Sequence, residues 1–175
     1  EDTTEPTVLT TPKSQSYPQT HSFGCTAAQS GPYDQFMTTY RPRLMDQRLQ
    51  ELLQSVPAVS VEGARAVGKT RTARTHGTTF IAVDDPDERA QLTAIGSRFT
   101  TLPSPLVIDE WQRMPELWDR VRRAVDDDPS PGRFLLTGSS TPSQAPTHTG
   151  AGRIITLRMR PFSLAERAIE APTVS

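Results

Sequence analysis

The ten residues VEGARAVGKT, at positions 61–70, decide the fold of this chain. Residues 63–70 fit the pattern G-x-x-x-x-G-K-[ST] at every fixed position, with a β-rich run before them and a predicted helix after them. Glycines let the backbone curl until its N–H groups point at phosphate oxygens, and the helix that begins at Lys69 adds the positive end of its dipole. The stretch therefore predicts a phosphate-binding loop. In it, Lys69 supplies a charge to the β- and γ-phosphates and Thr70 offers a hydroxyl to Mg²⁺.

Strand and helix patterns alternate on both sides of this loop. Short apolar, β-branched runs predict strands, and apolar residues at helical spacing predict helices. The predicted strands are residues 58–63, 78–84, 105–109, 133–138 and 153–161. The predicted helices are one within 41–56 that Pro57 ends, 69–77, one after Asp85, 116–127 and one over 163–170. Such alternation predicts an α/β fold, a three-layer α/β/α sandwich with a mainly parallel five-stranded sheet.

The ends of the chain differ in composition from its centre. Residues 1–40 are rich in Pro, Ser and Thr and are predicted to be a disordered tail, residues 41–170 the folded core and residues 171–175 a short tail. His21 and Cys25 lie in the first tail without partners at metal-ligand spacing. The net charge of −1, the single cysteine and the lack of a secretory or membrane-spanning apolar run predict a cytoplasmic protein without a membrane partner.

A second motif, LVIDE at 106–110, ends an apolar strand in two acids. Neighbouring strand residues point to opposite sides, so Asp109 is expected to reach the magnesium shell while Glu110 faces the γ-phosphate. A carboxylate in that place can orient and polarise an attacking water. The alternative for Glu110 is a surface acid at a strand end.

Hydroxyl groups end another predicted strand, in LLTGSS at 135–140. The carboxyl ends of parallel strands share one edge of a sheet, so Thr137, Ser139 or Ser140 is expected to contact the γ-phosphate or the water. The residues do not decide which hydroxyl acts, and ordinary turn chemistry is the alternative for each.

Two arginines are candidates for phosphate contact. Arg153 follows GAG and is a candidate for the transition-state charge, in cis or from a neighbouring subunit, against a surface arginine at a strand edge. Arg65 lies inside the loop and carries the same alternative. Trp111 and Trp118, seven residues apart, favour a core or interface position over base stacking.

Charged clusters elsewhere favour structural roles. Asp85 is expected to cap a helix, with Pro86 at its first position and Glu88 completing a capping box; contact with the magnesium shell is the alternative. The run Asp126–Asp128 is expected to be solvated. Arg120, Arg122 and Arg123 alternate with acids, so no nucleic-acid partner is expected.

Four stretches together resemble a group of bacterial and archaeal AAA+ ATP-binding proteins. They are GARAVGKT, VDDPDERA, LVIDEWQRMPELWDRVRRAVDDDPSPGRFLLTGSS and GAGRIITLRMRPFSLAER, and the resemblance runs from about Tyr40 to Arg167. It implies a P-loop NTPase fold of the AAA+ type and ATP rather than GTP. Lys69 and Thr70 then match Walker A, Asp109 and Glu110 match Walker B, and the LTGSS hydroxyls match sensor 1.

The sequence departs from that group in two respects. Ala64 stands where members usually have proline, which the motif tolerates. Members also usually carry a C-terminal domain after this core, and the 175 residues are expected to hold the core alone.

The resulting hypothesis is ATP binding and Mg²⁺-dependent hydrolysis coupled to a conformational change. The alternative is a nucleotide-gated binding module with little or no hydrolysis, and the expected partners are ATP and Mg²⁺, with a second copy or an unknown protein. The expected catalytic residues are Glu110, Lys69 and Arg153, and the expected metal ligands are Thr70 and Asp109. The expected nucleotide contacts are Gly63, Ala64, Arg65, Ala66, Val67, Gly68, Lys69, Thr70, Arg71, Thr137 and Ser139.

Overall fold

A parallel β-sheet forms the centre of the fold. The computed structural model describes residues 21–22, 40–139 and 151–167. The strands are β1 His21–Ser22, β2 Ala58–Gly63, β3 Thr79–Ala82, β4 Leu106–Asp109, β5 Phe134–Ser139 and β6 Ile154–Arg158. They pair in the order β1-β3-β4-β5-β2-β6, and every pairing is parallel. The predicted α/β fold with its five parallel strands, β2 to β6, is therefore confirmed.

The two-residue strand β1 is an addition to the prediction. It pairs with Thr79 and Phe80 at the edge of the sheet, although it belongs to the tail predicted to be disordered. The rest of that tail, including Cys25 but not Tyr40, lies outside the described residues. The same is true of the loop residues 140–150 and of residues 168–175.

Helices connect the strands. They are α1 Leu44–Ser55, α2 Lys69–His76, α3 Pro86–Ile95, α4 Glu116–Asp127 and α5 Leu164–Arg167, with 3-10 segments at Gly96–Thr101 and Trp111–Arg113. Each predicted helix and strand of the core is present, with ends that differ by a few residues. Residues 168–170 of the last predicted helix lie outside the described part of the chain.

Strand residues alternate between two buried clusters, one on each face of the sheet. On one face, Ile108 and Leu136 pack with α3 and α4. On the other, Val107 and Leu135 pack with Leu49 of α1 and with α2. Because helices cover both faces, the fold has the three predicted layers.

The start of α3 corrects one detail of the prediction. Asp85 caps the helix as expected, since its Oδ1 accepts from the backbone N–H groups of Asp87 at 2.8 Å and Glu88 at 3.3 Å. The side chain of Glu88, however, accepts from the N–H of Ala82 at the end of β3 rather than completing a capping box. Glu88 therefore ties α3 to the sheet.

The order of the strands positions the site. β5 lies between β2, which leads into the phosphate-binding loop, and β4, which ends at Asp109. All three strands are parallel, so their carboxyl ends meet at one edge. The register pairs Gly63 with Ser139. Only β5 therefore separates the phosphate-binding loop after β2 from the acids at the end of β4.

Candidate functional site

The loop between β2 and α2 is sharply curled. Ala66 and Gly68 have φ of 64° and 103°, a left-handed conformation that glycine adopts readily and alanine rarely. Gly63 is needed for close approach instead, because a Cβ there would lie 2.4 Å from the backbone oxygen of Met159. The glycines at both ends of the motif are thus explained by geometry.

The Lys69 side chain lies inside this loop. Its residue is 5% exposed, and Nζ donates to the backbone oxygens of Gly63 at 3.0 Å and Ala64 at 2.9 Å. These carbonyls hold the ammonium at the centre of the loop. Arg65, by contrast, is exposed to solvent.

Asp109 joins the loop to the two strands beside it. Its Oδ1 accepts from Thr70 Oγ1 at 3.1 Å and from Thr137 Oγ1 of β5. Burial raises the pKa of Asp109, and the charges of Glu110 and Asp84 add to this rise, while the two hydroxyl hydrogen bonds oppose it. A buried carboxylate beside other acids is a place where a cation would be stabilised.

Glu110 turns the chain away from β4. It is one of the non-glycine residues with positive φ, with φ 55° and ψ 41°. Its N–H donates to Thr137 Oγ1 at 3.3 Å, and its side-chain Oε2 accepts from Gln112 Nε2. Among the described hydroxyls of LTGSS, Thr137 therefore contacts both the carboxylate of Asp109 and the backbone of Glu110. Ser139 is linked to Glu110 by the side chain of Gln112, which donates to both residues. Ser140 lies outside the described residues.

Arg43, which the sequence reasoning missed, braces the loop from behind. It is 6% exposed, and its Nη1 donates to the backbone oxygen of Val67 at 2.7 Å. Nη2 donates to the oxygen of Arg160 at 2.7 Å, Nε pairs with Glu166 at 2.9 Å, and the guanidinium stacks on Phe162. One side chain thus links the loop to the segment that leads into α5.

Glu166 is held as a carboxylate in this contact. The backbone N–H groups of Ser163 and Leu44 donate to it, and Arg43 and the Ser163 hydroxyl add further hydrogen bonds. These interactions lower the pKa of Glu166 to about 2. Glu166 therefore stays a carboxylate in its contact with Arg43 through the physiological pH range.

A cavity of about 810 Å³ opens beside the loop. Gly68, Arg71 and Thr72 of the loop and α2 form one wall, while Tyr40 and Phe162 form others. It is thus reached from the end of the phosphate-binding loop and has both aromatic and cationic walls.

Arg153 is not brought to the loop of its own chain. It precedes β6, whose first residue, Ile154, pairs with Ala58 at the start of β2. The loop follows the far end of β2, roughly 16 Å away at about 3.3 Å per residue. Arg153 Nε instead pairs with Asp126 at the end of α4, at 2.5 Å. Within its own chain, Arg153 therefore lies away from the loop, and its role towards the nucleotide, in cis or from a neighbouring copy, stays a prediction.

The remaining predicted groups have structural surroundings. Trp111 and Trp118 are 3% and 4% exposed with ring centroids 4.8 Å apart, which confirms the core prediction. The arginines of α4 contact the protein itself: Arg120 donates to the oxygen of Gly96, Arg122 to Asp126 and Arg123 to the oxygen of Asp119.

The described part of the chain offers neither a ready-made metal cluster nor a helix that could span a membrane. It contains no group of three or more His, Cys, Asp or Glu side chains placed to hold a metal ion. None of the described helices has the length and apolarity to cross a membrane.

Comparison with known proteins agrees with this geometry. The AAA domain family model matches residues 55–168. Uncharacterized protein Mb2031c of Mycobacterium bovis and uncharacterized protein Rv2008c of Mycobacterium tuberculosis are each 35% identical over 100 residues, which cover 54% of this chain and 22% of the relative. The chain thus spans about a fifth of the length of these curated relatives. Because the family match takes in more than half of the chain, including the loop and both acids, the chain belongs to the AAA domain family of P-loop nucleotide-binding proteins.

Proposed function

We propose that this chain binds ATP with Mg²⁺ at residues 63–71 and hydrolyses it to ADP and phosphate. The observation that carries the proposal is the convergence of five residues at one sheet edge: Lys69 in the loop, Thr70 bonded to Asp109, and Glu110 bonded through its N–H to Thr137. A loop that only held phosphates would not need the second acid.

Thr70 and Asp109 are the residues that would hold magnesium. A hydroxyl and a carboxylate are the hard oxygen ligands that Mg²⁺ prefers, and their direct hydrogen bond of 3.1 Å keeps both oxygens together. The raised pKa of Asp109 fits a site whose charge a cation balances. When bound, magnesium neutralises charge on the phosphates and orients them.

Glu110 is the general base in this proposal. It accepts a proton from water as the water oxygen forms a bond to the γ-phosphorus. The bond from that phosphorus to the β,γ-bridging oxygen breaks, and the electron pair leaves with ADP. Lys69 stabilises the charge that builds up on the phosphates. Proton transfer by a positioned carboxylate contributes about 10²–10⁴-fold to the rate.

The cavity beside the loop suits the base and sugar of the nucleotide. It is continuous with Gly68 and the first turn of α2, and its volume of about 810 Å³ lies in the range of small-molecule sites. Tyr40 and Phe162 offer aromatic faces to a purine. Preference for adenine over guanine is expected from the family, so GTP belongs in the test.

The proposed conformational change passes through Arg43. This residue contacts Val67 in the loop and Glu166 in the segment after β6, so a shift of the loop carbonyl changes its hydrogen bonds at both places. The alternative is a nucleotide-gated binding module, in which the same contacts respond to binding alone and little or no hydrolysis follows.

The test is Mg²⁺-dependent phosphate release from ATP by the full chain, beside Glu110→Gln and, as a matched control, Glu116→Gln at the exposed start of α4. ATP binding is measured separately by calorimetry, with GTP as a second ligand. Glu110→Gln should lower turnover at least ~100-fold and leave binding intact, whereas Glu116→Gln should match the wild type. Retained turnover in Glu110→Gln would remove Glu110 from the mechanism. Tight binding without release by the wild type would support the binding module.

A further inference from the structure

Gln112 contacts the proposed base directly. It lies in the 3-10 segment after β4, and its side-chain Nε2 donates to Glu110 Oε2 and, at 3.3 Å, to Ser139 Oγ at the end of β5. An amide nitrogen has two protons, so one group can serve both acceptors. Glu110 is thereby connected to β5 twice. Its carboxylate reaches Ser139 through Gln112, and its backbone N–H donates to Thr137.

The chain makes room for this amide. A Cβ at position 138 would lie 2.7 Å from Gln112 Oε1 and 2.7 Å from Trp111 Nε1, so a residue larger than glycine would displace these side chains. The left-handed conformation of Glu110 turns the 3-10 segment so that the side chains of residues 110 and 112 meet. The small residue at position 138 and the left-handed backbone of Glu110 thus both favour this side-chain contact.

The amide is placed at a cost to stability. Gln112 Oε1 is buried and has no hydrogen-bond partner among the described residues. An unpaired buried amide oxygen is destabilising, and an apolar residue of the same shape would avoid this cost. Packing alone therefore does not account for glutamine at this position, whereas the two bonds of its nitrogen do.

We propose that Gln112 is a positioning residue that fixes the Glu110 carboxylate for attack by water. This inference rests on the proposed hydrolysis. Gln112 engages Oε2, and a carboxylate has acceptor sites beyond one hydrogen bond, so Glu110 keeps capacity to accept a proton from water. A freely rotating glutamate would lose rate, because misplacement of a reacting group by about 1 Å can cost 10²-fold.

The experiment compares wild type with Gln112→Met, which keeps side-chain length and removes the donor. Gln47→Met is the matched control, since Gln47 Nε2 also donates to a glutamate, Glu51 at 3.2 Å, on the exposed side of α1. Gln112→Met should lower kcat by at least ~10-fold with KM within about twofold and a thermal midpoint equal to or above that of the wild type. Gln47→Met should leave all three unchanged.

A second readout does not depend on turnover or on the folding of the Gln112 variant. The ¹H–¹⁵N signals of the Gln112 side-chain amide should shift in Glu110→Gln, while those of Gln47 should not. Unchanged kcat in Gln112→Met, or unmoved Gln112 signals, would overturn the inference while Glu110-dependent hydrolysis stands. Equal turnover by wild type and Glu110→Gln would instead overturn the proposed function, and the purpose assigned to Gln112 with it.

Discussion

The hydroxyl of Thr137 on β5 donates to the carboxylate of Asp109 on β4, across 28 residues of sequence. Thr137 is fully buried, and the same oxygen accepts from the N–H of Glu110 at 3.3 Å. A single side chain on the strand between the loop and the acids therefore holds both acids in place.

Replacing Thr137 by valine should weaken both folding and turnover. Valine keeps the shape but removes a donor from buried Asp109 and an acceptor from the Glu110 N–H, so we expect a loss of about 1–3 kcal/mol in the free energy of unfolding. Urea unfolding and phosphate release measure the two effects. Thr93→Val, at an exposed position of α3, is the control and should change both quantities little. An unchanged stability for Thr137→Val would show that this hydroxyl does not support the acids.

Replacing Asp109 by asparagine should stabilise the fold while it abolishes activity. The carboxylate is 5% exposed, and burial raises its pKa, so its charged form at neutral pH opposes folding. Asparagine still accepts from Thr70 and Thr137. Each kcal/mol gained should raise the thermal midpoint by about 2–4 °C, and Mg²⁺-dependent turnover should be lost. Exposed Asp87→Asn is the control, and a lower midpoint for Asp109→Asn than for wild type would contradict the prediction.

The stabilising effect of Glu166 should depend on pH in the acid range. Its pKa falls from 4.5 to about 2 in the fold, chiefly through the Ser163 N–H and then the Leu44 N–H. A lowered pKa means that the carboxylate stabilises the fold fully above pH 4.5 and loses this effect as pH falls through about 2. Urea unfolding of wild type and Glu166→Gln should therefore differ at pH 7 and converge towards pH 2. A difference that stays constant over that range would show that the Glu166 charge is not involved.

Replacing Arg153 by alanine should leave turnover of the dilute chain within about twofold of the wild type. Its ion pair with Asp126 is exposed on both sides and is worth about 0.2–1 kcal/mol. Phosphate release is measured over a range of protein concentrations, with Asp126→Ala as the control that removes the same pair but keeps the arginine. A defect of Arg153→Ala that grows with concentration would indicate action on a neighbouring copy. An equal defect at every dilution would contradict the placement of Arg153 at the far edge.

Local patterns were enough to predict most of the fold and part of the site. The glycine spacing, followed by Lys69 and Thr70, predicts the curled loop. This works because the backbone geometry of the loop depends on residues that are adjacent in sequence. The acids at the end of LVIDE are predictable for a similar reason, since the last residues of parallel strands share one edge. The same rule explains why Arg153 lies away from the loop of its own chain. A residue that precedes a parallel strand lies at the opposite edge, whatever glycines stand beside it.

Residues whose partners are distant in sequence were not predictable in this way. Arg43 contacts positions 24, 117 and 123 residues away, so no periodicity or motif marks it. Gln112 meets Ser139 across 27 residues, and its contact with Glu110 depends on a left-handed residue that only the fold reveals. Glu88 bonded to β3 rather than to its own helix, because the end of a neighbouring strand offered a donor.

Arg43 connects the phosphate-binding loop with helix α5, because it contacts both Val67 and Glu166. Binding at two coupled sites is reciprocal. If a ligand at one site changes the affinity of the other site by some factor, a ligand at the other site changes the affinity of the first by the same factor. Under the proposed function, a molecule that draws Glu166 away from Arg43 would alter the affinity of the loop for phosphate, and bound phosphate would alter the affinity of that molecule by the same factor. Under the proposed function, helix α5 would therefore both respond to nucleotide binding and influence it, through the one buried guanidinium of Arg43.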